Sequence, residues 1–226
     1  MKGKLYGVGV GPGDKKMLTL KAVEVLKEAD IILVPDTGGE NVALKIVEDY
    51  IEGKEKLLIE IPMTKDKEIL ERSYQNGSEK IMSLLDQGIN LAFITIGDPT
   101  IYSTFIYFQR IIMAKGYETE IINGIPSFCA VAARLNISLA DRNEILTIAP
   151  ASYEDFDDLL DSRENLVLMK SGRKIMDVIK RIDEKGLLEN AKMVENCNMD
   201  NEIIYENLRD VENPGYFNII VLNRKS

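Results

Sequence analysis

Three short loops hold the residues best suited to chemistry: Gly9-Val10-Gly11-Pro12-Gly13-Asp14, Gly97-Asp98-Pro99-Thr100-Ile101-Tyr102 and Gly124-Ile125-Pro126-Ser127-Phe128. Glycine lets the backbone approach a ligand closely, and proline fixes the path of a turn. Each loop runs into a helical pattern, whose first N–H groups lack intrahelical partners and can meet polar groups of a bound molecule. Two phosphate-binding patterns fail here. G-x-G-x-x-G needs a third glycine where Pro12 or Asp14 stands, and no Gly-Lys-Ser or Gly-Lys-Thr occurs anywhere in the chain. The first loop therefore reads either as a tight strand-to-helix turn or as a close approach of backbone to ligand. Asp98 reads either as a helix cap or as a carboxylate facing that ligand, with Ile101 and Tyr102 offering apolar wall.

The chain contains no histidine, which excludes imidazole triads, imidazole metal sites and histidine pH switches. Its two cysteines, Cys129 and Cys197, stand far apart without a CxxC partner, so no zinc cluster and no metal site is expected. Cys129 lies in an apolar helix start and is expected in the core. The acidic stretch 154–164 and the run Glu202-Ile203-Ile204-Tyr205-Glu206 are read as solvated faces.

Rigid elements must hold these loops. Residues 4–10 form a strand-like run, 17–29 an amphipathic helix with Leu18, Ala22, Val25 and Ala29 on one face, and 31–34 a short apolar strand ended by Pro35. The alternation continues with helices over 41–51, 67–87 and 102–115 and strands over 56–60, 90–95 and 117–122. Beyond the third loop come helices over 128–135, 154–161 and 173–185 and strands over 145–149, 165–169, 191–196 and 216–222. Strands alternating with helices predict an α/β class with right-handed crossovers. The first sheet should be mostly parallel, and the second mixed, because no helical pattern separates its last strands.

The 226 residues are 45% hydrophobic and carry 28 Lys plus Arg against 37 Asp plus Glu, a net charge of −9. That field repels nucleic-acid backbones and anionic membranes. The Met-Lys-Gly-Lys start leads straight into a strand without an apolar leader, and no window nears the roughly 18 apolar residues of a membrane span. A cytoplasmic protein with neither nucleic-acid nor membrane partners is expected.

Leu5-Tyr6-Gly7-Val8-Gly9-Val10-Gly11-Pro12-Gly13-Asp14, followed by Leu18-Thr19-Leu20-Lys21-Ala22, Gly97-Asp98-Pro99 and Gly124-Ile125-Pro126-Ser127-Phe128, resembles the tetrapyrrole methylase family of S-adenosylmethionine-dependent enzymes. The resemblance covers nearly the whole chain. Residues 97–105 and Val167-Leu168-Met169-Lys170 are most similar to the branch that methylates carbon 20 of precorrin-2 or cobalt-factor II in cobalamin biosynthesis. Whether the ring is metal-free or metallated stays open.

The resemblance implies the tetrapyrrole methylase fold of two α/β domains, 1–118 and 119–226, a homodimer, and a donor lodged between the domains beside a tetrapyrrole trough. It places Pro12, Gly97, Asp98, Ile101, Ser127 and Phe128 around S-adenosylmethionine or its product S-adenosylhomocysteine. Lys170, through its backbone, and Asn196-Cys197 join them. Relatives acting on other ring carbons have Tyr-Asp after the second strand where this chain has Val34-Pro35, so their Asp-based mechanism does not carry over. The activated sulfonium methyl needs in-line positioning more than a strong base, and Tyr102 and Asp98 are the candidate proton acceptors. Arg110, Arg134, Arg142, Arg173 and Lys174 are candidates for gripping the substrate's carboxylates. The alternatives are another methylase of the fold, such as a diphthine synthase, a ribosomal RNA methylase or a different precorrin methyltransferase, a dinucleotide-binding oxidoreductase, and a non-catalytic ligand-binding regulator.

Overall fold

The computed structural model describes residues 1–39, 41–162 and 164–224, with the side chain of Arg173 also outside that description. The chain forms two compact units, Met1–Pro126 and Ser127–Ser226. The first holds β1 (Leu5–Gly9), α1 (Leu20–Glu28), β2 (Ile31–Asp36), α2 (Val42–Val47), β3 (Glu55–Glu60), α3 (Lys67–Asp86), β4 (Leu91–Thr95), α4 (Phe105–Ala114) and β5 (Thr119–Ile122). Its five strands are all parallel, in the order β3-β2-β4-β1-β5. The boundary expected after residue 118 falls too early, because β5 pairs with β1 from Leu5↔Thr119 to Val8↔Ile122 and completes this sheet.

Strand alternation distributes the apolar side chains between two cores, as a sheet covered on both faces requires. Val8, Val10, Ile32, Val34, Ala92 and Ile94 meet α1 and α2. Leu5, Ile31, Leu33, Leu91 and Phe93 meet Ile81 and Leu85 of α3 and Phe105, Phe108 and Ile112 of α4. Two glycines set the spacing on the second face. A Cβ at Gly7 would lie 2.2 Å from the Phe105 ring, and one at Gly77, inside α3, 2.6 Å from the Phe108 ring.

Local capping corrects two expected boundaries. α1 starts at Leu20 rather than residue 17, because the Thr19 hydroxyl accepts from Ala22 N at 3.1 Å and Asp14 caps a separate 3₁₀ turn at Lys15–Met17. α4 starts at Phe105 rather than residue 102, because Tyr102 sits at φ +49, outside the helical region.

The second unit comprises α5 (Ser127–Arg134), β6 (Leu146–Pro150), α6 (Phe156–Asp161), β7 (Asn165–Met169), α7 (Ile175–Glu184), β8 (Ala191–Glu195), β9 (Ile203–Tyr205) and β10 (Asn218–Leu222). The sheet is mixed, in the order β6-β7-β10-β8-β9, with β10 antiparallel to both β7 and β8. Ile175, Val178, Ile179 and Ile182 of α7 close its core over Leu166, Leu168, Met193 and Ile220. The acidic stretch lies on the surface, where Asp157 pairs with Arg181 and Asp161 with Lys185. The run 202–206, read as a solvated face, is half-exposed to exposed and carries the edge strand β9, which pairs with β8 from Met193↔Tyr205 to Glu195↔Ile203. No described helix is long and apolar enough to cross a membrane.

Replacing Gly7 by Ala forces a methyl into the Phe105 ring. Overpacking of that kind costs about 1–3 kcal/mol, so the thermal midpoint of G7A should fall. An unchanged melting curve would refute this account of how α4 seats.

Candidate active site

The carboxyl ends of β1 and β4 lie side by side, and the chain leaves them toward opposite flanks of the sheet, β1 leading to β2 and β4 to β5. Ligands of open α/β sheets bind at such a switch point. Here the first two loops are joined by backbone hydrogen bonds, Gly97 N to Gly11 O at 2.8 Å and Gly11 N to Gly97 O at 3.2 Å, with Val10 N donating to Thr95 O at 2.9 Å. Gly11 and Gly97 sit at φ +75 and +73, which an L side chain strains to adopt. The third loop touches the other two through bare backbone. A Cβ on Gly124 would stand 2.2 Å from Gly97 O and one on Gly9 2.5 Å from Gly124 N. No side chain fits at those two positions.

Asp98 ties the loops together. Its Oδ1 accepts from Thr100 N at 2.8 Å and from the Thr100 hydroxyl, and its Oδ2 accepts from Asn123 Nδ2 and Gly124 N, both at 3.0 Å. The residue is buried. Burial alone would raise its pKa, but the bonds from Thr100, Asn123 and Gly124 outweigh it and hold the carboxyl below the ordinary aspartate value. All four lone-pair positions of the carboxylate are thus engaged, so the role of proton acceptor expected for Asp98 does not fit this geometry. It positions the loops and supplies a fixed negative charge.

Pro12 and Gly97 are buried in the same cluster, Ile101 is half-buried and Tyr102 is exposed. Tyr102 adopts φ +49, a strained conformation for an aromatic residue, and the following Ser103 hydroxyl lies 3.1 Å from Thr95 Oγ1 and accepts from Phe105 N at 3.2 Å. Residues 9–14, 96–104 and 123–126 contain two aspartates and neither lysine nor arginine. Such a set suits a cationic or neutral ligand and disfavours a phosphate.

A second cluster lies in the Ser127–Ser226 unit, where β7 and β8 end and β10 begins. Lys170 follows β7 at φ +57, and Asn196 and Asn198 follow β8 at φ +49 and +61. Behind them runs a buried polar chain. The Ser171 hydroxyl bonds to Asn218 Oδ1, Asn218 Nδ2 donates to Gly215 O at 2.7 Å, and Gly215 N donates to Glu195 Oε1 at 2.7 Å. Cys197 is buried beside Glu202, and that burial, with the neighbouring carboxylate, pushes its thiol up to about 12. Glu202 also accepts from Asn198 N at 2.8 Å and from Arg134.

Of the residues expected from sequence, Pro12, Gly97, Asp98, Ile101 and Tyr102 come together in the first unit, and Lys170, Asn196 and Cys197 share one sheet edge in the second. Phe128 is buried and Ser127 half-buried in the first turn of α5. Cys129, expected in the core, is exposed on that helix. Among the expected substrate-gripping cations, Arg134 is held by Glu202, while Arg110, Arg142 and Lys174 are exposed; the Arg173 side chain lies outside the described residues. Sequence reasoning missed Asn123, Ser171, Glu195 and Asn218. Burial of a polar group, which needs coordinates, marks Ser171, Glu195 and Asn218, while the exposed Asn123 is marked by its bond to Asp98 Oδ2.

The parallel sheet with its glycine-lined switch point and the mixed second sheet place this chain among the tetrapyrrole (corrin/porphyrin) methylases, whose family model matches residues 4–212. The chain belongs to that family. Within it, the chain is 44% identical to a probable cobalt-precorrin-2 C(20)-methyltransferase of Methanocaldococcus jannaschii, covering 83% of each chain. It is 30% identical to the cobalt-precorrin-2 C(20)-methyltransferase of Salmonella typhimurium, over 100% of this chain and 98% of that one. Among solved structures, a cobalt precorrin-4 methyltransferase superposes with a TM-score of 0.77 at 20% identity, covering 97% of this chain and 94% of that one. The uroporphyrin-III C-methyltransferase of Thermus thermophilus, complexed with S-adenosylhomocysteine, gives 0.71 at 20% identity over 98% of each.

Replacing Asp98 by Asn turns amide hydrogens toward the donors from Asn123 and Gly124. Hydrogen bonds to a charged group contribute about 1.5–3 kcal/mol each, so D98N should lower stability and donor affinity together. Because the folded-state pKa lies below the unfolded one, the carboxylate's share of stability is present above about pH 4 and is lost as pH falls through the folded value. Acid titration of unfolding should therefore be flatter in D98N than in wild type; identical pH profiles would contradict the assignment.

Proposed function

We propose that the protein transfers the methyl group of S-adenosylmethionine to carbon 20 of precorrin-2 or its cobalt form, cobalt-factor II, in cobalamin biosynthesis. The observation that carries this reading is the switch-point cluster in which Gly9, Gly97 and Gly124 meet backbone to backbone around an anionic, fully hydrogen-bonded Asp98. The names borne by the two relatives support the ring position and favour the cobalt-containing substrate. When bound, S-adenosylmethionine supplies a sulfonium methyl already activated for displacement and leaves as S-adenosylhomocysteine.

The residues present fit such a donor. The cluster offers backbone N–H and C=O groups, the half-buried Ile101 and a permanent negative charge at Asp98, and its loops contain no lysine or arginine to repel a sulfonium. Pro12, Gly97, Asp98 and Ile101 shape the donor site. Ser127, Phe128, Lys170, Asn196 and Cys197 are proposed to contribute to it. As the macrocycle carbon gains its new C–C bond it must release a proton. Tyr102, which is exposed and can hand its own phenolic proton to solvent as its oxygen takes the one released by the ring, is the proposed acceptor, because Asp98 has no lone pair free. Its strained backbone fixes where the phenol starts from. A homodimer completes the proposal and is checked by light scattering.

The test is calorimetry with S-adenosylhomocysteine followed by methyl transfer to precorrin-2 and to its cobalt form. Wild-type protein that ignores the thioether, or that binds it yet methylates neither ring, would sink the reading. For Tyr102→Phe, donor affinity should hold while turnover falls by about 10²–10⁴, the range for loss of a positioned acid–base group. Unchanged turnover removes Tyr102 from that role.

A further inference from the structure

We infer that the Lys170 ammonium is a carboxylate-binding group for a small-molecule ligand, taking either the amino-acid carboxylate of the methyl donor or an acidic side chain of the macrocycle. This deepens the function proposed above and rests on it. The position is an unusual one for lysine. At φ +57 a lysine is strained, its Cβ crowding the following carbonyl, and glycine or asparagine would adopt that backbone more easily. Strain retained by a charged residue at the edge of a sheet points to a use for its side chain.

The backbone on both sides is clamped. Met169 ends β7, paired with Pro150 of β6, and Ser171 is buried with its hydroxyl bonded to Asn218. Lys170 therefore leaves the sheet from a fixed root, while much of its own surface stays open.

The ammonium has no acidic partner among the described residues, whereas Lys4, Lys185 and Lys192 each hold a carboxylate. The acid of the polar chain, Glu195, is already engaged. Its Oε1 accepts from Gly215 N at 2.7 Å, and its Oε2 faces the Tyr205 hydroxyl at 3.5 Å. Surrounding protein also strips water from the Lys170 ammonium and lowers its pKa. A partly desolvated cation without a partner is unfavourable. In a chain of net charge −9, internal carboxylates are plentiful, so an unpaired lysine beside a built polar network is set up for an anion from outside. A compact ammonium on a flexible stem suits a single carboxylate.

The experiment compares wild type with K170M and K170R, with K170Q replacing K170M should the latter melt early. Loss of about 10-fold or more in S-adenosylhomocysteine affinity, equal to 1.4 kcal/mol, with unchanged affinity for methylthioadenosine, which lacks the amino-acid carboxylate, assigns the donor. A rise of similar size in KM for the macrocycle at constant kcat, largely restored by K170R, assigns the substrate. If neither quantity moves while wild type still methylates, the inference is overturned and the proposed function stands. If wild type does not methylate, that function fails. The inference is then read from protein carrying ¹³C-dimethylated lysines, in which the Lys170 resonance is identified by its absence in K170M. A shift on adding S-adenosylhomocysteine or the octacarboxylate uroporphyrin supports it, and indifference to both overturns it.

Discussion

The contact on which the first unit's chemistry depends is backbone against backbone. Gly9, Gly97 and Gly124 come from three loops separated by most of the unit's length, and their approach leaves no room for a Cβ at Gly9 or Gly124. Close packing of this kind is rigid, since a methyl group added at either place must displace main chain rather than a side-chain tip. Asp98 then locks the arrangement, because one carboxylate accepts from the second and third loops at once. A scaffold built this way can present main-chain polar groups to a ligand with little reorganisation on binding.

The second unit is organised by different means. Its sheet edge is organised by buried side-chain amides, a hydroxyl and a carboxylate, through Ser171, Asn218, Glu195 and the main chain of Gly215. Polar networks in a low-dielectric interior specify one arrangement only when their members are satisfied, and here each donor finds an acceptor along the chain. Lys170, Asn196 and Asn198 adopt positive φ at the same end of this sheet. Asn196 is buried next to Glu195, Asn198 is half-buried and Lys170 is exposed.

Much of this was legible in the sequence. The glycine loops, the alternating apolar runs and the long amphipathic helix announced the class of fold, because those signals are local and periodic. β9 escaped notice, being only three residues long with Ile203 exposed. The unit boundary was misplaced because residues 119–122 owe their allegiance to pairing with β1, a contact across more than a hundred positions. Asp98 could be singled out, yet its role could not. A cap and a cross-brace look alike until Asn123 and Gly124 are seen to donate to it. The pairing of Ser171 with Asn218, 47 residues away, left no trace in local pattern.

The two cysteines carry a practical consequence. Cys197 is buried with its thiol pushed up to about 12, whereas Cys129 lies on the exposed face of α5. Thiolate is the reactive species, and although partial burial raises the Cys129 thiol as well, that sulfur stays open to solvent while Cys197 is both raised and enclosed. A maleimide dye should therefore find a single address on the native molecule, so fluorescence or spin labels can be attached there without engineering the chain.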